Sequence, residues 1–474
     1  MRAAYIYIVI LLEGYVVLST ELVAIRQLIP FVGSGTETMA IVIAAVLMPL
    51  SFGYYVGGNY RVKYGRKKLI TIRNKLIKNV ISASVILVFG LSYILLEIYF
   101  GIFDNYNISH RVAQATIFSL LFIVYPVYLL GQTAPLVSNY FRGSHLSKAT
   151  GTILMFSTIG SFLGAILSTL VLMGAIGVHN VIIVNIVLLL IVVVILSKKL
   201  FSMNNFLMVV ITFIAFGLNG SHIMEGLGVV EDNNYNIVRI ENGEEDGTKV
   251  LIVNRSPAAK YSANPELRFG YIRYVEERFV NPIANQDGVS DKPKSILVIG
   301  AGGFTFGQDD TFNNYTFVDI DSTLKEVSEK YLLKSKLKDN RKFVAMPARG
   351  FFNQTDEKYD LIFLDAFTNV ISTPFQLITK EFFEQVKEHL NEDGIVLFNV
   401  ITSPNFNDKF SVKLDRTFRQ VFSPANRQVL RLYDGWTGVD SDENVNTNVV
   451  YSYHNRNYTK GNYTDNINTY YLDR

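Results

Sequence analysis

The hydrophobic pattern changes character near residue 222. Before it, long apolar runs are separated by short polar breaks; after it, apolar positions come in short groups closed by glycine or a carboxylate. Windows of ~20 apolar residues, enough for a helix to cross a bilayer, fall at about 5–29, 37–58, 79–100, 114–138, 150–173, 179–197 and 204–221. The last is the weakest, because its clean apolar core runs only from Phe206 to Leu218. Between 229 and 265 the pattern alternates. Asn236–Ile240 and Lys249–Val253 read as two strands around the polar turn Glu241–Gly247, and a helix over 266–280 follows. From 292 the signals alternate between strand and helix. Strands are expected at Ile296–Ile299, Tyr315–Ile320, Lys342–Ala345, Leu361–Leu364 and Gly394–Val400. Helices are expected at 322–333, with Ser322 as N-cap, at 379–390 and near 407–421. Such alternation predicts a parallel sheet with crossover helices. The expected architecture is therefore an α-helical transmembrane bundle of about seven helices over 1–222, a small β-hairpin domain with its linking helix over 229–280, and an α/β domain over 292–474 whose Tyr- and Asn-rich tail adds edge strands.

Charge orients the first half. Arg61, Lys63, Arg66, Lys67, Lys68, Arg73, Lys75 and Lys78 cluster between the second and third segments, which predicts a cytoplasmic loop. Arg142 and Lys148, and Lys198 and Lys199, then fall on the same side. The N-terminus is expected inside. Seven spans put the second half in the extracytoplasmic space; if 204–221 does not span, that half is cytoplasmic. The lipid bilayer of the cell (inner) membrane is the expected partner, with a small-molecule or exported acceptor left open. Arg2 precedes an apolar stretch with no small-x-small exit, so a retained helix is expected rather than a cleaved leader.

Polar groups inside apolar segments are costly and invite a functional reading. Glu13, Glu21 and Arg26 lie in the first segment and Glu97 near the end of the third. Arg26 and Glu97 read as side chains snorkelling to the interface, whereas Glu21 must face protein. Gly53, Gly57, Gly58, Gly160 and Gly164 read as close helix-packing positions. The formal net charge of +3 gives no case for nucleic acid, and the absence of cysteine excludes disulfides, thiolate metal sites and cysteine nucleophiles. No metal is expected.

The candidate chemistry lies in the α/β part. Gly300, Gly302 and Gly303 close the first strand and let backbone approach a ligand where strand is expected to turn to helix. Asp319 closes the next strand, the usual place for a partner of ribose hydroxyls, with Asp321 as the alternative. Asp365 closes another strand after four apolar residues, where a carboxylate can act as a general base, hold an amine or cap a turn. Arg349 reads as a ligand contact, a solvated loop charge or a partner for these carboxylates.

The order strand-GxGG, D-x-D and YD-x-x-x-x-D resembles the spermidine synthase family of polyamine aminopropyltransferases. The first half, with Glu21, Arg26, the glycines before Arg61 and Gly131-Gln-Thr-Ala-Pro135, resembles the multi-pass group in which such a domain is fused behind membrane helices. The resemblance implies a Rossmann-like, methyltransferase-type fold. It also implies that Gly300, Gly302, Gly303 and Asp319 surround decarboxylated S-adenosylmethionine or a related adenosyl compound, and that Asp365 deprotonates the attacking amine. Four positions depart from the soluble synthases. Gly303 stands for an acidic residue and Pro347 for an aspartate. Thr368 stands for a second carboxylate, and Phe269-Gly270 for a tyrosine–glutamine pair. Losing one buried partner of an ammonium commonly costs ~2–5 kcal/mol, so putrescine is not the expected acceptor. Three readings follow: a membrane-tethered transferase with another acceptor, a non-catalytic extracytoplasmic domain binding a ligand or exported partner, and a transport or sensing bundle regulated by its second half.

Overall fold

The computed structural model describes residues 3–60, 67–106, 108, 110–139, 146–197, 199–281, 292–367, 373–430 and 446–455. Arg61, Lys63, Arg66, Arg142, Lys198 and Thr368 lie outside them. Two compact units make up the chain, one of residues 1–240 with 253–256, the other of 241–252 with 257–474.

The first unit is helical. Among the described residues, six helices are long and apolar enough to cross a membrane: α1 (Tyr5–Val32), α2 (Thr36–Gly58), α5 (Arg111–Ser138), α6 (Ser147–Ile176), α7 (Val178–Ser197) and α8 (Met203–Gly226). A seventh is counted if α3 (Thr71–Gly90) and α4 (Tyr93–Asn105), bent by 62° at their break, form one span. The sequence places the doubtful span at 204–221; the structure moves the doubt to the third segment. Nothing in the apolar run around Leu91 and Ser92 announces a break. The freed carbonyl of Leu91 is satisfied by the Gln27 side-chain amide at 2.7 Å, as a broken helix among apolar neighbours requires.

Glycine sets the distance between helices in this unit. A Cβ on Gly160 or Gly164 of α6 would overlap the carbonyl oxygens of Leu11 and Tyr15 on α1. On Gly53 and Gly57 of α2 it would lie 2.6 and 2.7 Å from the Tyr128 and Gln132 oxygens of α5. These backbones therefore touch, as small-residue helix packing demands. Gly58 makes no such approach.

Arg26 and Glu97 do not snorkel. Arg26 is 5% exposed; its Nε donates to the Asn233 carbonyl at 2.8 Å and its Nη2 lies 3.9 Å from Asp232 Oδ1. Asp232 Oδ2 also receives the His179 backbone N–H at 3.0 Å and faces His179 Nδ1 at 2.9 Å. Glu97 accepts from Tyr93 and Arg239 and pairs with Arg255 at 3.6 Å. Glu21 is buried.

Strands β1 (Val229–Asp232), β2 (Ile237–Asn242), β3 (Lys249–Val253) and β4 (Ser256–Tyr261) form a sheet in that order, so the expected hairpin is the centre of a four-stranded meander. A short helix α9 (Gly270–Val275) follows. The second unit is built on a seven-stranded sheet of order β10-β11-β9-β8-β5-β6-β7. Its members are β5 (Ser295–Ile299), β6 (Asn314–Asp319), β7 (Arg341–Ala345), β8 (Tyr359–Leu364), β9 (Leu390–Thr402), β10 (Asn426–Leu430) and β11 (Thr447–His454). Strands β5 to β9 are mutually parallel, whereas β11 runs antiparallel between β9 and β10. The sheet is therefore mixed rather than parallel throughout. Helices α11 (Ala348–Gln354), α12 (Lys380–Glu388) and α13 (Lys409–Val421) accompany it. Phe382, Phe383, Phe398, Phe418 and Phe422 form an aromatic core on the α12 and α13 side.

Two local expectations fail. The helix between β6 and β7 is α10 (Leu324–Val327), widening into a π turn over Ser328–Leu332. Asp321, not Ser322, organises its start: its Oδ1 accepts from the Thr323 N–H at 3.0 Å and hydroxyl at 2.7 Å. More consequentially, no helix follows the glycines, because residues 301–313 connect β5 to β6 through turns. Phe304 and Phe306 fill the place beneath, packing on Phe317, Phe343 and Phe363. The buried Arg341 guanidinium donates to the carbonyls of Phe304, Phe306 and Gly307, and Glu276 accepts the Gly307 N–H at 2.7 Å. A loop whose carbonyls are gathered by one arginine needs no helix to satisfy them.

Candidate active site

The carboxyl end of β8 sets the site. Leu364 pairs with Phe398 on parallel β9, so the next residues in register are Asp365 and Asn399. Asn399 Nδ2 donates to Asp365 Oδ1 at 2.8 Å. The Tyr271 hydroxyl, carried by α9, donates to Asp365 Oδ2 at 3.1 Å. Both oxygens thus have a fixed donor and the carboxyl is held from two sides. Its surroundings are dense although part of its surface stays open. Burial pushes its pKa up to about 6, while the Asn399 and Tyr271 hydrogen bonds pull the other way. Tyr271 is pushed well above the ordinary tyrosine range by burial, then by the Asp365 carboxylate beside it, so it stays a donor. A carboxyl poised near 6 at a strand end can take a proton near neutrality.

Tyr271 and Asn399 are the residues sequence reasoning missed. The tyrosine of the soluble synthases was sought at Phe269-Gly270; the hydroxyl on Asp365 comes from two residues further on. Asn399 gave no signal of its own, because it sits inside an apolar strand and only the β8–β9 register reveals it.

Gly300 lies between this carboxyl and the next. Its φ of +94° is left-handed, and a Cβ there would overlap the Asp365 carbonyl. The corner therefore has to be glycine for β5 to lie against the end of β8. Gly303 is equally confined, with Ala259 2.9 Å from where its Cβ would be and Leu332 closer still. Gly302, at φ +50°, faces the Ala258 carbonyl at 3.4 Å. On the far side of the corner, Asp319 Oδ2 accepts the Ala301 N–H at 2.9 Å and Oδ1 the Asp321 N–H at 3.0 Å. Burial first, with the Asp321 carboxylate adding, raises its pKa to about 6 against those N–H bonds.

Asp319 and Asp365 thus flank one glycine corner, each at the carboxyl end of a strand neighbouring β5, where open α/β sheets bind ligands. Asp321 is 1% exposed and turned into its own turn. Arg349 lies on α11 rather than a loop; its Nε donates to the Gln376 carbonyl at 2.9 Å and its Nη2 to the Thr379 hydroxyl at 2.6 Å. It ties α11 to the start of α12. The described residues contain no cluster of three or more His, Asp or Glu side chains able to hold a metal ion.

Sequence comparison relates the second half of the chain to known proteins. Residues 279–437 match the family model described as the spermine/spermidine synthase domain. A polyamine aminopropyltransferase of Saccharolobus solfataricus is 35% identical over 158 residues, 31% of this chain and 52% of the relative. The chain thus spans about half the length of that relative. A polyamine aminopropyltransferase of Sulfurisphaera tokodaii is 32% identical over 223 residues, 42% of this chain and 73% of the relative. Among solved structures, a probable spermidine synthase from Corynebacterium glutamicum aligns at 18% identity, covering 50% of this chain and 82% of the other, with a TM-score of 0.38. Spermidine synthase from Thermotoga maritima aligns at 16%, covering 48% and 72%, with a TM-score of 0.36. On the strength of the sequence relatives, the chain belongs through its C-terminal half to the spermine/spermidine synthase family.

Proposed function

We propose that the second unit transfers an aminopropyl or related alkyl group from an adenosyl sulfonium, such as decarboxylated S-adenosylmethionine, to an amine other than putrescine, and that the first unit anchors it in the membrane. The observation that carries the reading is the Asp365 carboxyl held by Tyr271 and Asn399 at the end of β8. A protonated amine is no nucleophile. Asp365 takes its proton; the amine nitrogen bonds to the carbon next to sulfur, the carbon–sulfur bond breaks, and methylthioadenosine leaves as a neutral thioether. The test is release of methylthioadenosine by the purified chain.

The residues around the corner suit an adenosyl group. A carboxylate offers about four acceptor positions; Asp319 spends two on the Ala301 and Asp321 N–H groups and the Ile320 N–H draws on a third, leaving capacity for a ribose hydroxyl. Ile320, 43% exposed, offers an apolar face beside it. The missing helix after Gly303 also discriminates. A nucleotide phosphate wants the N–H groups and positive end of a helix, whereas a sulfonium is a cation and needs neither. The acceptor rests on sequence, since Thr368 stands where the soluble synthases carry a second carboxylate.

Membrane anchoring is supported by the outer faces of the long helices, where Phe162, Leu170 and Phe213 are all more than half exposed, a surface suited to lipid. The basic residues after α2 favour a cytoplasmic N-terminus. A second reading, an extracytoplasmic ligand- or partner-binding domain, is favoured by parity: with α3 and α4 as one span, seven crossings carry the second unit outside. A reporter fused to the C-terminus is expected to read extracytoplasmic. A cytoplasmic reading makes the α3–α4 pair re-entrant, puts the second unit beside the adenosyl pool and removes the extracytoplasmic alternative.

A further inference from the structure

The first unit contains a polar cavity that the transferase reading does not use. It is a part-open pocket of about 30 Å³ between α1, α2, α5 and α6, room for about one or two water-sized groups. Its polar lining is Glu13, Tyr54, Thr133, Ser157 and Ser161. Glu13 is 4% exposed. The Thr133 hydroxyl donates to its Oε1 at 2.6 Å, and no lysine, arginine or histidine lines the space. Gly14 and Gly131 at the wall let the helices close on it: a Cβ on Gly14 would overlap the Ser157 carbonyl oxygen, and one on Gly131 would lie 3.0 Å from that of Leu50. Beside it α1 and α6 touch backbone to backbone, with the Ser161 hydroxyl donating to the Gly14 carbonyl at 3.3 Å.

A carboxyl in apolar surroundings must carry a proton or meet a counter-charge. The lining fits one kind of cation better than others. A primary ammonium has three N–H donors and no acceptor, and the lining combines the Glu13 carboxyl with the hydroxyl-bearing residues Tyr54 and Ser157. Ile10, Val17, Leu50 and Leu130 complete the wall, which suits an alkyl chain and would leave a bare metal ion without its oxygen shell. The pocket admits an NH3 head and leaves the alkyl chain at its open side, whereas a tetraalkylammonium has no N–H to give these acceptors. We propose that Glu13 is the counter-charge of a primary alkylammonium group bound inside the helical unit. The site is separate from Asp365 and stands whether or not the second unit is catalytic.

The test uses the full chain purified in detergent and carrying Asp365→Asn, so that amine binding at the β8 end is removed. Propylamine is titrated at pH 8, where it is cationic, and the melting temperature is read, since a ligand that binds only the folded chain raises it. The expected result is a saturating rise with propylamine, none with tetramethylammonium, and loss of the rise in Glu13→Gln, which keeps an acceptor for Thr133. Should Glu13→Gln not accumulate, Ser157→Ala replaces it and is expected to weaken the rise. No rise with propylamine, an equal rise with tetramethylammonium, or a full rise in the Glu13 or Ser157 variant overturns the proposal.

Discussion

Asp365→Asn is expected to lower turnover by ~10²–10⁴-fold, the usual contribution of a positioned general base, with a much smaller effect on binding of the adenosyl substrate. The amide keeps the size of the carboxyl and an acceptor for one of its two donors, Tyr271 or Asn399, so a collapse of the site does not explain the loss. In the unsubstituted chain the same group sets a pH dependence. A base acts only when ionised, and Asp365 is pushed up to about 6 by burial, so turnover should rise with pH through the region of 6 and level off above it. Tyr271→Phe removes a hydrogen bond to the charged form. That raises the pKa further, and the acidic limb should move to higher pH while turnover on the plateau is partly kept. Turnover that is flat in pH from 5 to 8, or an Asp365→Asn chain as fast as its parent, would remove Asp365 from the mechanism.

Gly160→Leu should strongly destabilise the first unit. Any Cβ there would overlap the Leu11 carbonyl oxygen, and the whole α1–α6 contact would have to open to admit a leucine. Overpacking in a core commonly costs 1–3 kcal/mol. Here the obstacle is backbone that cannot rotate away, so the cost should reach at least the top of that range, and total stability is only ~5–15 kcal/mol. Gly151 lies on the same helix with nothing within 4 Å of its Cβ position. Gly151→Ala should therefore be neutral or slightly stabilising, because alanine is the better helix former by ~1 kcal/mol. Gel-filtration profiles and melting curves of the two detergent-solubilised variants make the comparison. A monodisperse Gly160→Leu protein melting with its parent would contradict the close α1–α6 packing.

Strands β5, β6 and β8 were legible because each is a short apolar run with a terminator: Ile299 before Gly300, Val318 before Asp319, Leu364 before Asp365. A strand buried on both faces has to read this way. The glycine spacing 160 and 164 was legible for a similar reason, since close helix packing leaves a local mark. What escaped is what tertiary structure decides. The helix expected after Gly303 is absent because Arg341, some 40 residues on, collects the loop carbonyls and Phe304 and Phe306 fill the space; no local pattern carries that information. Arg26 was read as snorkelling because its partners Asp232 and Asn233 are ~200 residues away. Tyr271 and Asn399 reach Asp365 only through the packing of α9 and the register of β9. The insertion of β11 between β9 and β10 follows from pairing rather than from composition.

The central claim is that the second unit is an amine-alkylating transferase with Asp365 as its base. The most direct test supplies the purified full-length chain with decarboxylated S-adenosylmethionine and a panel of primary amines, including putrescine and longer and shorter amines, and measures methylthioadenosine released. The account predicts release that depends on the amine, is slow with putrescine, and disappears in Asp365→Asn. Absence of release with every amine, or release unchanged in Asp365→Asn, would contradict it.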